Sequence, residues 1–239
     1  MHWTSDRTGR FPARPYYHPD ELESKCESLI TAFLRSRYGR VAFPVATDDL
    51  TVLVERLGGA LDLYADLSSG ERGVQGFTEF VPGRRPLVRI SRRLSEDSRY
   101  ENRLRTTLTH EGGHLWLHRP LWERRWRLGR LVGGHDRMAY VCQQPMTAGT
   151  PRSDWAEWQA GYVSGALLMP ASPLRAVIRG FAAGEELFWY QVPLPLSSRT
   201  GYALVRAVMT AFAVSEEAAQ VRLVRQGVLT DEVQGRLFA

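Results

Sequence analysis

The chain has 239 residues, 44% hydrophobic and 24% charged, enough to bury a core without disulfides or a metal staple. No stretch reaches the roughly 18 apolar residues of a membrane span, and Met1-His2-Trp3-Thr4-Ser5-Asp6-Arg7 lacks the apolar run of a secretory signal, so a cytoplasmic protein with no membrane partner is expected. The net charge of +5 is nearly all arginine, with Lys25 the only lysine; it is dispersed, which gives little support to nucleic-acid binding.

Residues 1–20 hold Pro12, Pro15 and Pro19 among aromatics and arginines and read as an extended arm. Asp20 is a candidate N-cap for a helix over 21–38, where Leu22, Leu29, Ile30, Phe33 and Leu34 keep helical spacing up to Gly39. A second helix is expected over 47–57, closed by Gly58-Gly59, and alternation predicts a strand over 60–64. Phe77–Val81 and Leu87–Ile90 alternate about the turn Pro82-Gly83-Arg84-Arg85 and predict a hairpin. A helix follows over 101–118. Residues 119–151 read as irregular and are rich in Trp and Arg. Asp154 caps a helix to about Met169, stopped by Pro170, and a short helix follows over 173–180. Pro193 and Pro195 mark a linker before two final helices over 200–213 and 215–226. The class is α+β, with an N-terminal arm and helix (1–45), a central core (46–192) and a C-terminal helical region (193–239). The two cysteines, Cys26 and Cys142, are far apart and without CxxC spacing, so they are read as reduced thiols.

The segment carrying chemistry is His110-Glu111-Gly112-Gly113-His114. Residues four apart on a helix project from one face, so both imidazoles can bind one tetrahedral zinc, and Glu111 can reach a water there as general base. The alternative is a surface helix that happens to carry two histidines. The apolar flanks, Leu104, Leu108, Leu115, Trp116 and Leu117, argue against it, because burying this trio without a partner is costly. His118 continues the row but lies too far along the axis to share the ion easily. Glu157, on the helix after Asp154, is the best third-ligand candidate from another element; taken alone, such a residue is more often a solvated glutamate.

The run from Arg105 to His118 resembles the active-site helix of the ImmA/IrrE metallopeptidases. Glu157-Trp158-Gln159-Ala160 leading to Leu167-Leu168-Met169-Pro170 resembles that family's second signature. The Gly76-Phe77 hairpin and the late run from Phe212 to Leu223 also fit, so the resemblance spans roughly 47–226. It implies a zincin-like core: a small antiparallel sheet, an HExxH active-site helix and a second helix bearing the ligand. It implies zinc held by His110, His114 and Glu157, with Glu111 as the catalytic base. The substrate it implies is a protein partner, a helix-turn-helix transcriptional repressor, in stress response or mobile-element regulation. Two departures stand out: Gly161 follows Ala160 where the family carries Asn, and the segment between the two helices is long.

Other features have two readings each. Phe77–Val81 is either a sheet edge that accepts a substrate strand or a plain structural hairpin. Leu121–Arg127 either meets an acidic partner or nucleic acid, or packs its two tryptophans on the body. His135, Asp136, Tyr140 and Tyr162 are candidate oxyanion donors. The last two helices suggest a helix-turn-helix pair, with Arg222 and Arg225 available to DNA. From a different class, the alternative to a peptidase is a DNA- or protein-binding regulator with a structural or vestigial zinc site.

Overall fold

The computed structural model describes residues 1–68, 74–131, 140–143, 154–184 and 193–230. The first twenty residues are not a free arm. Strands β1 (His2–Ser5) and β2 (Ala13–Tyr16) pair antiparallel, from His2 opposite Tyr16 to Ser5 opposite Ala13. Asp6 ties this hairpin to the body: its carboxylate accepts from the Phe11 amide at 3.0 Å and from the Trp155 indole N–H at 2.9 Å. Phe11 is buried and meets Trp122 and Trp155 edge-on, so the segment is ordered by the apolar surface it brings to the core.

Helix α1 (Pro19–Tyr38) starts one residue before the expected cap, with Pro19 in its first turn and His18 as N-cap. It ends where Gly39 takes φ +68° and returns its amide to the Arg35 carbonyl. Leu22, Cys26, Ile30, Phe33 and Leu34 face the core. The Cys26 thiol is free, and burial pushes its pKa up to about 12, in keeping with an inert reduced thiol.

Helix α2 (Thr47–Arg56) leads into strand β3 (Ala60–Ala65), followed by β4 (Gly76–Phe80) and β5 (Leu87–Ser91). A short helix, α3 (Arg92–Glu96), precedes the long α4 (Glu101–Leu131), and strand β6 (Tyr140–Gln143) comes after it. The four central strands lie in the order β3-β5-β4-β6. The sheet is mixed rather than antiparallel throughout, because β3 runs parallel to β5. Of the two readings of Phe77–Val81, a sheet edge and a structural hairpin, the first does not hold for strand β4. Its backbone is paired on both sides, to β5 and to β6, which leaves no free ladder there for a substrate strand.

Helix α4 does not stop at His118 but runs through Pro120 to Leu131. A proline costs a helix interior about 3 kcal/mol through the lost amide and ring clash. Here the buried row outweighs it: Trp122 and Trp126 continue the stripe of His110, His114 and His118 at four-residue spacing, with Leu121 buried beside them. Trp122 stacks on Phe80, so the Trp-rich segment packs on the body. Helix α5 (Trp155–Leu168) is buried nearly all round, and Asp154 caps it by accepting from the amides of Ala156 and Glu157 at 3.1 and 3.4 Å.

Gly113 sets how closely α4 and α5 approach. A Cβ there would lie 3.0 Å from Ala160 Cα and 3.3 Å from its carbonyl oxygen, backbone atoms that cannot swing aside. At Gly112 the nearest atoms, on Leu57 and Val54, would be 3.7 Å away, an ordinary contact. Gly113→Ala is therefore expected to destabilise by about 1–3 kcal/mol through overpacking. Gly112→Ala should be neutral or stabilising by up to about 1 kcal/mol from helix propensity. Urea unfolding of both variants checks this, and equal effects would sink the packing argument.

After α6 (Ala171–Gly184), strand β7 (Leu194–Pro195) pairs parallel with the last strand, β8 (Leu229–Thr230), around helices α7 (Arg199–Phe212) and α8 (Glu216–Arg225). One continuous set of buried apolar side chains runs from Phe11 to Leu229, through all three sequence regions. Arg222 is not available to DNA: it is buried, ion-paired with Glu23 of α1, and donates to the Met169 carbonyl at the end of α5. Arg225 stays on the surface, its guanidinium 5.6 Å from the Tyr162 ring. Among the described residues no helix is long and apolar enough to cross a membrane.

Candidate metal centre

Three side chains from the two facing helices converge. His110 Nε2 lies 3.1 Å from His114 Nε2 and 3.1 Å from Glu157 Oε2, and His114 Nε2 lies 3.4 Å from the same carboxylate oxygen. A tetrahedral ion with arms of about 2.0–2.1 Å has ligand–ligand edges of roughly 3.3–3.4 Å. The triangle thus has the size that one such ion spans. Each atom has a lone pair to give, and all three residues are buried, so a cation at their centre satisfies them together. These residues fit a metal, and among the described residues they are the only group of three or more that does.

The crossing of α4 and α5 produces this meeting. The four-residue spacing stacks the two imidazoles, ring centroids 4.9 Å apart, on the face turned to α5. The Asp154 cap places Glu157 in the first turn of α5, and the small contact at Gly113 and Ala160 lets it reach across. Ser164, one turn beyond Ala160, adds a lock between the helices: its hydroxyl donates to the Thr106 carbonyl at 3.0 Å and meets the Thr109 hydroxyl at 2.8 Å.

The carboxylates differ in charge preference. Burial raises Glu157, but the charges and hydrogen bonds of His114 and His110 outweigh it and hold its carboxyl well below the usual range. Glu111 moves the opposite way: burial pushes it up, Glu157 adds to the rise, and His114, His110 and Thr78 oppose it without prevailing. Glu157 is thus the ionised carboxylate of the candidate ligand set, and Glu111 the more basic one beside it.

His118 does not join the centre. It meets the far side of the His114 ring, Nδ1 to Nδ1 at 3.0 Å, and its Nε2 faces Gln159 Oε1 at 3.1 Å. Burial pushes its pKa down to about 3, so the ring is neutral. It also sits 5.4 Å from Trp155, perpendicular to it.

Two participants were missed in the sequence. Thr78 donates its hydroxyl to Glu111 Oε2 at 2.7 Å from the buried face of β4. The signal was there: Gly76, Thr78 and Phe80 form the inward set of an alternating strand, and a polar residue on such a face calls for a partner. Gln159 lies within the second block, where nothing local shows that it faces His118. Of the oxyanion candidates, Tyr162 points away, donating to Glu23 at 2.6 Å. His135, Asp136 and the side chain of Tyr140 lie outside the described residues.

The site is closed: His110, Glu111, His114 and Glu157 are 2%, 1%, 0% and 6% exposed. A cavity of about 610 Å³ lies elsewhere, between the β4–β5 turn and α4, lined by residues that include Arg84, Arg119, Trp126 and Arg127 but none of the metal cluster. No protein-family model matches the chain, and no curated protein matches it.

Proposed function

We propose that this protein is a zinc-dependent endopeptidase, similar to the ImmA/IrrE metallopeptidases, that cleaves a protein partner of the helix-turn-helix repressor kind. The observation that carries the reading is the meeting of Glu157 with His110 and His114, 47 and 43 residues away in sequence, beside a buried carboxylate that no ligand role requires. The zincin-like arrangement and the repressor substrate rest on the resemblance of the two sequence blocks.

A zinc ion held by His110, His114 and Glu157 supplies Lewis acidity, polarising a peptide carbonyl and making water acidic enough to ionise near neutral pH. Glu111 accepts the proton of the attacking water and later gives it to the leaving amine. Thr78 donates to Oε2, which orients the Glu111 carboxylate and leaves Oε1 to take that proton. The upward shift of Glu111 suits this task, since a more basic carboxylate accepts a proton more readily.

A second reading has one observation in its favour. The near-complete burial of all four residues suits a metal that braces two helices in a non-catalytic regulator. Incubating the protein with candidate small helix-turn-helix repressors, with and without a chelator, separates the two. Cleavage that stops with the chelator and returns with zinc supports the peptidase. Cleavage that persists rules out the zinc mechanism, and intact repressor with loss of fold on chelation favours the bracing role.

A further inference from the structure

Every proton between His114 and the N-terminal hairpin can be placed from one fixed end. The Pro15 carbonyl only accepts, so the Gln159 atom 2.9 Å from it is the amide nitrogen. This turns Gln159 Oε1 to His118 Nε2, and since an amide oxygen also only accepts, His118 carries its proton on Nε2. Both nitrogens of the buried His118 ring are used, one by Gln159 and one by His114, and among the described residues no carboxylate bonds to it to balance a charge. The ring is neutral, so its Nδ1 accepts, and His114 must donate from Nδ1. In the neutral form that binds a metal, His114 Nε2 is therefore left with its lone pair facing His110 and Glu157.

We propose that His118 and Gln159 are positioning residues that lock His114 in its metal-binding tautomer, with the N-terminal hairpin as the anchor of the chain. The inference rests on the metal-site reading above. His110 provides the contrast: among the described residues its buried Nδ1 meets no partner, whereas the Nδ1 of His114 does. The anchor is itself fastened to the first turn of α5, through Asp6 to Trp155 and Arg10 to Asp154. Metal affinity is thereby coupled to the docking of residues 1–16, which have no ligand among them.

The test uses full-length protein. Zinc affinity is measured by competition with a chromophoric chelator, and the protonated nitrogen of His114 is read from ring ¹⁵N shifts of the metal-free protein. His118→Leu should weaken zinc about ten- to hundredfold, the usual cost of removing a group that orients a metal-bound histidine. His118→Asn should recover most of that loss, because its amide oxygen can accept from His114 Nδ1. Gln159→Leu should cost less, and little more when added to His118→Leu. The wild-type His114 should be protonated at Nδ1, and the His118→Leu ring should be a mixture of tautomers. Wild-type affinity in His118→Leu, or equal losses in the Leu and Asn variants, overturns the proposal. If His118→Leu does not fold, the Asn variant, Gln159→Leu and the wild-type ring shifts decide it. A wild-type protein that binds no zinc refutes the metal site, whereas the ring shifts still decide the tautomer.

Discussion

Glu111→Gln is expected to keep the metal and lose the activity, whereas Glu157→Ala loses the metal. Glutamine matches glutamate in shape and can still accept from Thr78 through its amide oxygen, so the α4–β4 contact survives. It cannot take a proton at neutral pH. Removing a general base lowers turnover by about 10²–10⁴-fold, or roughly 2.7–5.5 kcal/mol in the barrier. Glu157→Ala removes one of three ligands and leaves two buried imidazoles facing each other at 3.1 Å. Its zinc affinity should fall by more than the roughly hundredfold limit expected for groups that only orient a ligand. Metal content after dialysis and repressor cleavage measure the two effects. Stoichiometric zinc in Glu157→Ala, with zinc lost from His118→Ala, would falsify the ligand assignment.

Arg105→Met should be the most destabilising single change outside the metal centre, by about 3–5 kcal/mol. Arg105 is 3% exposed and has no acidic partner at hydrogen-bonding distance among the described residues. Its guanidinium instead donates to backbone carbonyls: Nε to Ala213 at 3.0 Å, Nη2 to Phe212 at 3.2 Å, and Nη1 to Val45. Those carbonyls belong to the end of α7 and the entry to α2, so one side chain of α4 closes two other elements. Burial lowers the Arg105 pKa, yet an arginine stays charged in this setting. Methionine fills the space and leaves three buried carbonyls short of a donor. Lysine does little better, since an ammonium cannot span the fork. At about 2–4 °C per kcal/mol for a chain of this size, the melting temperature should drop by roughly 10 °C. A loss under about 1 kcal/mol would show that these carbonyls find other partners.

Local pattern was legible where one element decides it. The hairpin of β4 and β5, the start of the helix with its histidine pair and the Asp154 cap all appear within a residue or two of their expected places. Glu157 was legible only through two blocks read together, because nothing in a first-turn glutamate says which helix it faces. What escaped depends on contacts between distant segments. The run of α4 past His118 depends on Trp122, which packs against Phe11, Phe80 and Trp126. The place of β4 inside the sheet depends on β6, some sixty residues later in sequence. Arg222 reads as a surface base until Glu23, on the first helix, is found beside it.

The perpendicular contact between Trp155 and His118 has an optical consequence. Indole emission depends on the charge and polarity around the ring, and this indole adjoins the histidine next to a metal ligand while its N–H is bound by Asp6. An ion arriving at His114, or a hairpin carrying Asp6 away from the indole, alters the surroundings of the same chromophore. Trp155 thus stands at the junction of the candidate metal centre and the N-terminal hairpin, a native reporter for either event.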